Sequence, residues 1–305
     1  MAGQNTTGLV AFGPDSNCDL TRCSLEQSLY TYRPSLAANA TFLALFVLVG
    51  MVHGYLGYRW RSWGFMAGTL LGCLSEVVGY VGRIMLYNNP FSFEGFMIQI
   101  VCLTIAPVFF TASIYVTLSK TILHLAPELS RFNPILFYWI FIPFDVVCLV
   151  LQAAGGAMTT TSTGQDRSGV DISHAGLALQ VIVLSVFSAF FADYMVRYAR
   201  SDRARRLDGR GRLGAFFGGL VASTLLILAR CAYRVAELKD GYDGDLIKEE
   251  APFIVMEGAF VVLAGVALFP GHPGLVFGRD EAAERSKSWG EEGGGVQEVI
   301  VGESK

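Results

Sequence analysis

The sequence predicts an all-α, polytopic integral membrane protein with seven transmembrane helices, its N-terminus outside and its C-terminus in the cytoplasm. Three observations predict it. The 305 residues are 52% hydrophobic and 16% charged, with a mean hydropathy of +0.46, whereas an ordinary soluble domain is about a quarter charged. Seven stretches approach the roughly 20 apolar residues that a helix needs to cross the hydrocarbon core. Lys and Arg then sort by loop, 15 to one side and 5 to the other, and short cytoplasmic loops keep the positive excess. This composition excludes fibrous, disordered and disulfide-scaffold classes.

The first 34 residues are polar and form an extracellular segment in this reading. Asn5-Thr6-Thr7 is a glycosylation sequon. Of the six cysteines, Cys73, Cys102, Cys148 and Cys231 fall inside apolar stretches, so Cys18 and Cys23 are the pair placed to bond in an oxidising compartment. No basic region followed by an apolar core opens the chain, so a cleavable signal is not expected and the first span must serve as its own insertion signal.

The spans run over 35–58, 62–86, 94–119, 134–158, 173–197, 213–238 and 251–269, and the membrane domain over 35–269. The first and third are uninterrupted by charge, as in FLALFVLVGM and IVCLTIAPVFF; the sixth and seventh contain Arg230, Arg234, Glu237 and Glu257 yet are too long and apolar for loops. Between spans one and two lie Arg59 and Arg61, and between three and four Lys120 and Arg131. The connection between five and six carries seven Arg from Arg197 to Arg212, which also suits anionic inner-leaflet lipid. The segment 270–305 is the cytoplasmic tail, and from about Leu275 its Gly, Glu and Ser predict disorder. A reporter fused to the C-terminus is therefore expected in the cytoplasm; finding it outside would invert every depth assigned below.

Ionisable groups inside a span cost about 2.5 to 3.5 kcal/mol each on insertion scales and normally face the bundle interior. Glu76, Tyr80 and Arg83 share one face of the second span, and Asp145 and Gln152 share one face of the fourth. Arg230, Arg234 and Glu237 align in the sixth, Glu257 lies seven after Glu250 in the seventh, and Gln99 and Gln180 stand in the third and fifth. With alternate spans running in opposite directions, these groups fall at the middle or in the outer half of the bilayer. Two readings follow. Four acids (Glu76, Asp145, Glu237, Glu257) set against three bases (Arg83, Arg230, Arg234) make a network that holds helices in register, or they line an outward-facing chamber whose acid surplus suits a cationic head group.

Other features read as packing. Gly50 with Gly54, Gly64 with Gly68 and Gly72, and Gly214 with Gly218 have the small-xxx-small spacing of close helix contacts, within the chain or in a homo-oligomer. Pro107 and Pro143 should kink the third and fourth spans. His53 reads as a satisfied interior histidine, and Asp193 as a partner of Arg197 one turn on.

These motifs resemble, in order and spacing, the fungal lipid-translocating exporter family, over about Tyr32 to Gly274. The resemblance is carried by Tyr32-Arg33-Pro34-Ser35 with Asn39, by Glu76-x-x-Gly79-Tyr80-x-x-Arg83, and by Gln99 followed by Ala106-Pro107, Ala112 and Tyr115. It continues through Asp145, Gln152, Gly155 and Gly156, then Gly176-Leu177-x-x-Gln180, Arg230-x-x-Tyr233-Arg234-x-x-Glu237, and His272-Pro273-Gly274. The chain departs from the pattern in the seventh span, with Glu257 where the family has Asp and Glu249 where it has His. The resemblance implies a seven-helix protein of the plasma membrane or endomembranes that acts on sphingoid long-chain bases, sterol-like amphipaths or toxic hydrophobic compounds.

Competing functions narrow quickly. No G-x-x-x-x-G-K-[ST] loop is present, so this chain has no phosphate-binding loop for ATP hydrolysis. The seventh span has no Lys for a retinal Schiff base. The four histidines are scattered over different depths, so no metal, cofactor, catalytic group or nucleic-acid partner is expected. The remaining classes are a lipid exporter or flippase, whose partners are membrane lipids and an amphipathic small molecule, and a heptahelical receptor or sensor. Ser119-Lys120-Thr121 at the end of the third span lacks the D-R-Y signature of the large receptor family.

Overall fold

The computed structural model describes residues 8–11, 13–14, 16–131, 133–161, 167–201, 210–239 and 244–274. Asn5 and the tail beyond Gly274 lie outside the described residues, as does much of the Arg-rich connection. Seven helices are long and apolar enough to cross a membrane, and no strand occurs among the described residues. They are α1 (Leu36–Arg59), α2 (Trp63–Asn88), α3 (Phe93–Leu125), α4 (Leu136–Thr161), α5 (Arg167–Arg200), α6 (Arg210–Leu238) and α7 (Glu250–Ala267). Each expected span is recovered. Helices α3 and α5 run about two turns past the apolar stretch at one end, because backbone hydrogen bonding continues beyond the hydrocarbon boundary that apolarity reads.

Local chemistry sets the boundaries. Ser35, after Pro34, caps α1 by accepting from Ala38 N at 3.4 Å, and Ser92 caps α3 by accepting from Gly95 N at 3.1 Å. The α1–α2 turn closes through Ser62 N to Gly57 O at 3.1 Å and Arg61 N to Tyr58 O at 3.4 Å, with Arg61 left-handed at φ 54°. Neither proline ends its helix: Pro107 and Pro143 lie inside α3 and α4.

Successive helices pack against one another, α7 also meets α1, and α3 reaches α6 across the bundle. Glycines permit the closest approaches. A Cβ on Gly82 would stand 2.7 Å from Gln99 N and 2.8 Å from Gly95 O, so α2 and α3 touch backbone to backbone there. Gly50, Gly68 and Gly72 also lie against neighbouring helices, as their spacing predicted. Gly214 and Gly218 do not: nothing stands within 4 Å of a Cβ at either, and it is Gly219 that abuts Ala267 O. Gly219, one residue on, is turned about 100° around the helix from Gly218, so the Gly214 and Gly218 stripe makes no contact within the chain among the described residues. Leu48, Met51, Trp139, Val150, Ile182 and Leu225 are exposed around the outside of the bundle, as lipid-facing surface requires.

The α1–α2 loop end is sealed by the terminal motif. His272 is fully buried against the Phe65 ring, with Nε2 3.3 Å from Ser62 Oγ and Nδ1 accepting from Gly274 N at 3.1 Å. Residues 270–274 thus pack on the bundle. His53 sits beside it, with Nε2 3.0 Å from Gly265 O and Nδ1 buried without a hydrogen-bond partner among the described residues, so the expected satisfaction is only half met. Burial, together with the neighbouring His53, pushes the His272 imidazole down to about 4 from 6.5. The folded protein therefore resists a proton that the unfolded chain accepts. Stability should fall as pH drops from about 6.5 to about 4, by up to about 3 kcal/mol. Melting temperatures of wild type and His272→Gln over that range check it: the wild-type slope should be the steeper.

Candidate functional site

The polar groups of the spans sort into four places. At the centre, Arg230 of α6 donates from Nε to Glu257 Oε2 at 2.7 Å and from Nη2 to Glu257 Oε1 at 2.5 Å. Its Nη2 also donates to Leu103 O of α3 at 2.8 Å. That carbonyl is free because Pro107, four residues on, has no N–H to close the helical bond to it. Glu257 lies in a π-helical turn, Ile254–Ala259, a feature common at functional positions. Glu76 of α2 belongs to the same centre, since the charges of Glu257 and Arg230 act on it. It is 1% exposed and neither of its oxygens has a hydrogen-bond partner. Tyr80, one turn away, is stacked on Phe42 and Phe46 and its hydroxyl is also unpartnered.

A second cluster gathers around Arg83. Its Nη2 donates to Tyr32 Oη at 2.8 Å and its Nη1 to Gln99 Oε1 at 3.4 Å, while Gln99 Nε2 donates to Tyr30 Oη at 2.9 Å. The Phe253 ring lies 3.6 Å beneath the guanidinium, and Glu250 is 3.9 Å away. Glu250 in turn accepts from Ser35 N at 2.6 Å, tying the start of α7 to the start of α1. The segment before α1 therefore folds back over the bundle. It is pinned by the Cys18–Cys23 disulfide, which forms as the cysteine positions predicted and packs with Ala11 against Phe91. Arg33 adds a bond to Tyr87 O at 2.7 Å. Burial holds the Tyr30 phenol above its usual range, so it remains a neutral hydroxyl.

Beneath this roof Arg234 pairs with Glu237 on α6. A small cavity lies here, lined by Tyr30, Tyr32, Gln99, Arg234, Glu237 and Glu257 together with apolar side chains such as Phe96 and Leu103. Of the eleven residues singled out in the sequence, four thus share one cavity wall. The fourth and fifth helices hold the rest. Asp145 Oδ2 accepts from Thr111 Oγ1 at 3.3 Å and Tyr115 Oη at 3.1 Å, and Gln152 Nε2 donates to Gln180 Oε1 at 3.0 Å. Ser173 Oγ donates to Gln152 O at 3.1 Å beside them. Among the described residues Asp145 has no cationic partner, and the Tyr115 ring that binds it packs in turn on Phe141 and Phe187. Nearer the ends, Asp193 pairs with Arg197 at 3.0 Å as expected, and also with Arg131.

The sequence reading did not assign Tyr30, Tyr32, Glu250, Phe253 or Thr111 to the site. The signal for Tyr32 and Glu250 was present in their motifs; Tyr30 and Phe253 carry none, because an aromatic beside a span reads equally as an interfacial anchor.

A bundle of seven spanning helices with buried charge pairs and a lipid-facing exterior defines a multi-pass integral membrane protein. The family model for RTA1-like proteins matches residues 69–280, and the chain belongs to that family. It is 29% identical over 279 residues to the sphingoid long-chain base transporter RSB1 of Saccharomyces cerevisiae, covering 80% of this chain and 73% of the relative. Two further yeast proteins are similar: Protein RTM1, at 30% identity over 66% of this chain and 64% of its own, and protoporphyrin uptake protein 1, at 31% over 66% of each. No solved structure matches.

Proposed function

We propose that this protein moves amphipathic lipids across the membrane, taking the amine-bearing head of a sphingoid long-chain base or a similar toxic amphipath into its polar interior while the tail stays in lipid. The observation that supports this reading most is the acid surplus within the bundle. Arg230 is engaged by Glu257, Arg234 by Glu237, and Arg83 lies near Glu250, which leaves Glu76 and Asp145 without an ion-pair partner among the described residues. A cationic head group supplies what they lack; an anionic one would add to the imbalance. The relative named as a sphingoid long-chain base transporter supports the cargo class, and the porphyrin-uptake relative supports a site that tolerates varied amphipaths. In this reading the chain has no catalytic centre, the Tyr30–Tyr32 segment roofs an outward-facing chamber, and the N-terminus is outside.

The test is Asp145→Asn and Glu76→Gln, scored in cells for membrane abundance and for resistance to a toxic long-chain base. Asn still accepts from Thr111 and Tyr115, so Asp145→Asn should change stability by no more than about 1 kcal/mol. Normal abundance with lost resistance supports the reading; equal losses of both would make these acids structural. Ligand binding by purified protein without transbilayer movement would instead favour a receptor.

A further inference from the structure

Glu76 is the least accounted-for polar group in the bundle, being buried with both oxygens unpartnered. A carboxylate buried within a bundle must be paired, hydrogen-bonded or carry a proton. Every element packed around it bears on which. From α7 comes Glu257, a like charge; from α6 comes Arg230, whose Nε and Nη2 are already taken by Glu257 and Leu103 O. From α3 comes the Cys102 thiol, from α2 itself Cys73 and Tyr80, and α1 presents the Phe42 and Phe46 rings that stack on Tyr80. The arrangement therefore matches a protonated carboxyl. It also holds two unused groups: Arg230 Nη1 and Tyr80 Oη are both buried without partners. The first is a spare donor; the second is a hydroxyl able to donate or accept. Glu257 and Leu103, which touch this centre, also line the cavity under Tyr30 and Tyr32, so a head group in the cavity is one layer away.

We propose that Glu76 is an exchange site at which a proton and an organic ammonium group replace one another. This rests on the transport reading above and adds its coupling ion. The step balances: the neutral carboxyl plus R–NH3+ gives the carboxylate–ammonium pair plus one released proton, with no net charge entering the centre. Tyr80 Oη accepts one ammonium N–H, and Arg230 remains on Glu257. Release of the cargo reverses the step, so a proton gradient sets the direction in which amine-bearing cargo moves. Lipids without an amine gain nothing from the exchange.

The experiment uses the purified full chain in nanodiscs. Infrared spectra at neutral pH should show a protonated-carboxyl carbonyl band that is absent in Glu76→Gln and shifted in Glu76→Asp; the Asp variant keeps the test available if Gln misfolds. Adding a short-chain sphingoid base in weak buffer should release about one proton per base bound, and none with Glu76→Gln. Absence of a Glu76-dependent band overturns the proposal, as does base binding without proton release or a band with no binding. Transbilayer movement is scored separately in vesicles. Proton release without movement would overturn the transport reading and keep the exchange site; movement indifferent to an imposed pH gradient would do the reverse.

Discussion

Glu257→Gln is expected to lower stability by about 3 to 5 kcal/mol, because removing one partner of a buried ion pair leaves the other charge uncompensated. Gln preserves shape and one hydrogen bond, but Arg230, 1% exposed, would keep only the Leu103 carbonyl and a neutral amide. Arg230 cannot escape by losing its proton. Glu76 is positioned to ionise and take over part of the lost pairing, so Glu76→Gln combined with Glu257→Gln should cost more than the two single changes summed. Replacing the pair together, Arg230→Met with Glu257→Leu, should recover much of the loss, since apolar groups of similar volume avoid desolvation altogether. Thermal unfolding in detergent, with membrane abundance as a second readout, checks the series. Equal melting temperatures for wild type and Glu257→Gln would show that the pair is not holding α6 to α7.

Arg83→Leu should have the next largest effect, and a different one. The guanidinium joins Tyr32 of the N-terminal segment, Gln99 of α3 and the Phe253 and Glu250 side chains of α7. Hydrogen bonds to a charged group contribute about 1.5 to 3 kcal/mol each, so losing the two should cost roughly 3 kcal/mol, concentrated at this end of the bundle. The N-terminal segment should detach before the helices separate. Limited proteolysis is expected to cut between Ser24 and Pro34 faster in Arg83→Leu than in wild type, while the bundle still melts cooperatively. Unchanged cleavage would mean that the disulfide and its Phe91 contact hold the segment alone.

The seven helices were legible because apolar length is a local signal, and their ends were blurred wherever helical hydrogen bonding outran apolarity, as in α3 and α5. The charged faces were legible too, since Glu76, Tyr80 and Arg83 needed only helical periodicity to be aligned. Periodicity does not say which neighbour a face meets. The eleven polar groups were therefore open to reading as one network or one chamber, whereas the fold places Asp145 with Thr111 and Tyr115, and Gln152 with Gln180, apart from the cavity wall of Gln99, Arg234, Glu237 and Glu257. Pro107 was read as a kink; its larger consequence, an orphaned Leu103 carbonyl for Arg230, depends on α6 lying opposite. Gly214 and Gly218 make no contact within the chain among the described residues for a related reason, because spacing marks a small-residue stripe and not the direction it faces. Tyr30 came from outside the spans altogether, carried in by a segment whose course is set by long-range contacts.

The proposed transbilayer movement of an amine-bearing amphipath draws its support from the acid surplus, the buried pairs and the family relationship. The direct measurement is reconstitution of the purified protein into vesicles containing a fluorescent sphingoid long-chain base in one leaflet, with an N-acylated analogue lacking the amine charge in a parallel set. The account predicts protein-dependent movement of the free base between leaflets, much slower movement of the acylated analogue, and loss of the difference in Asp145→Asn. Vesicles in which the free base stays in its leaflet at the protein-free rate, or in which both lipids move equally, would contradict it.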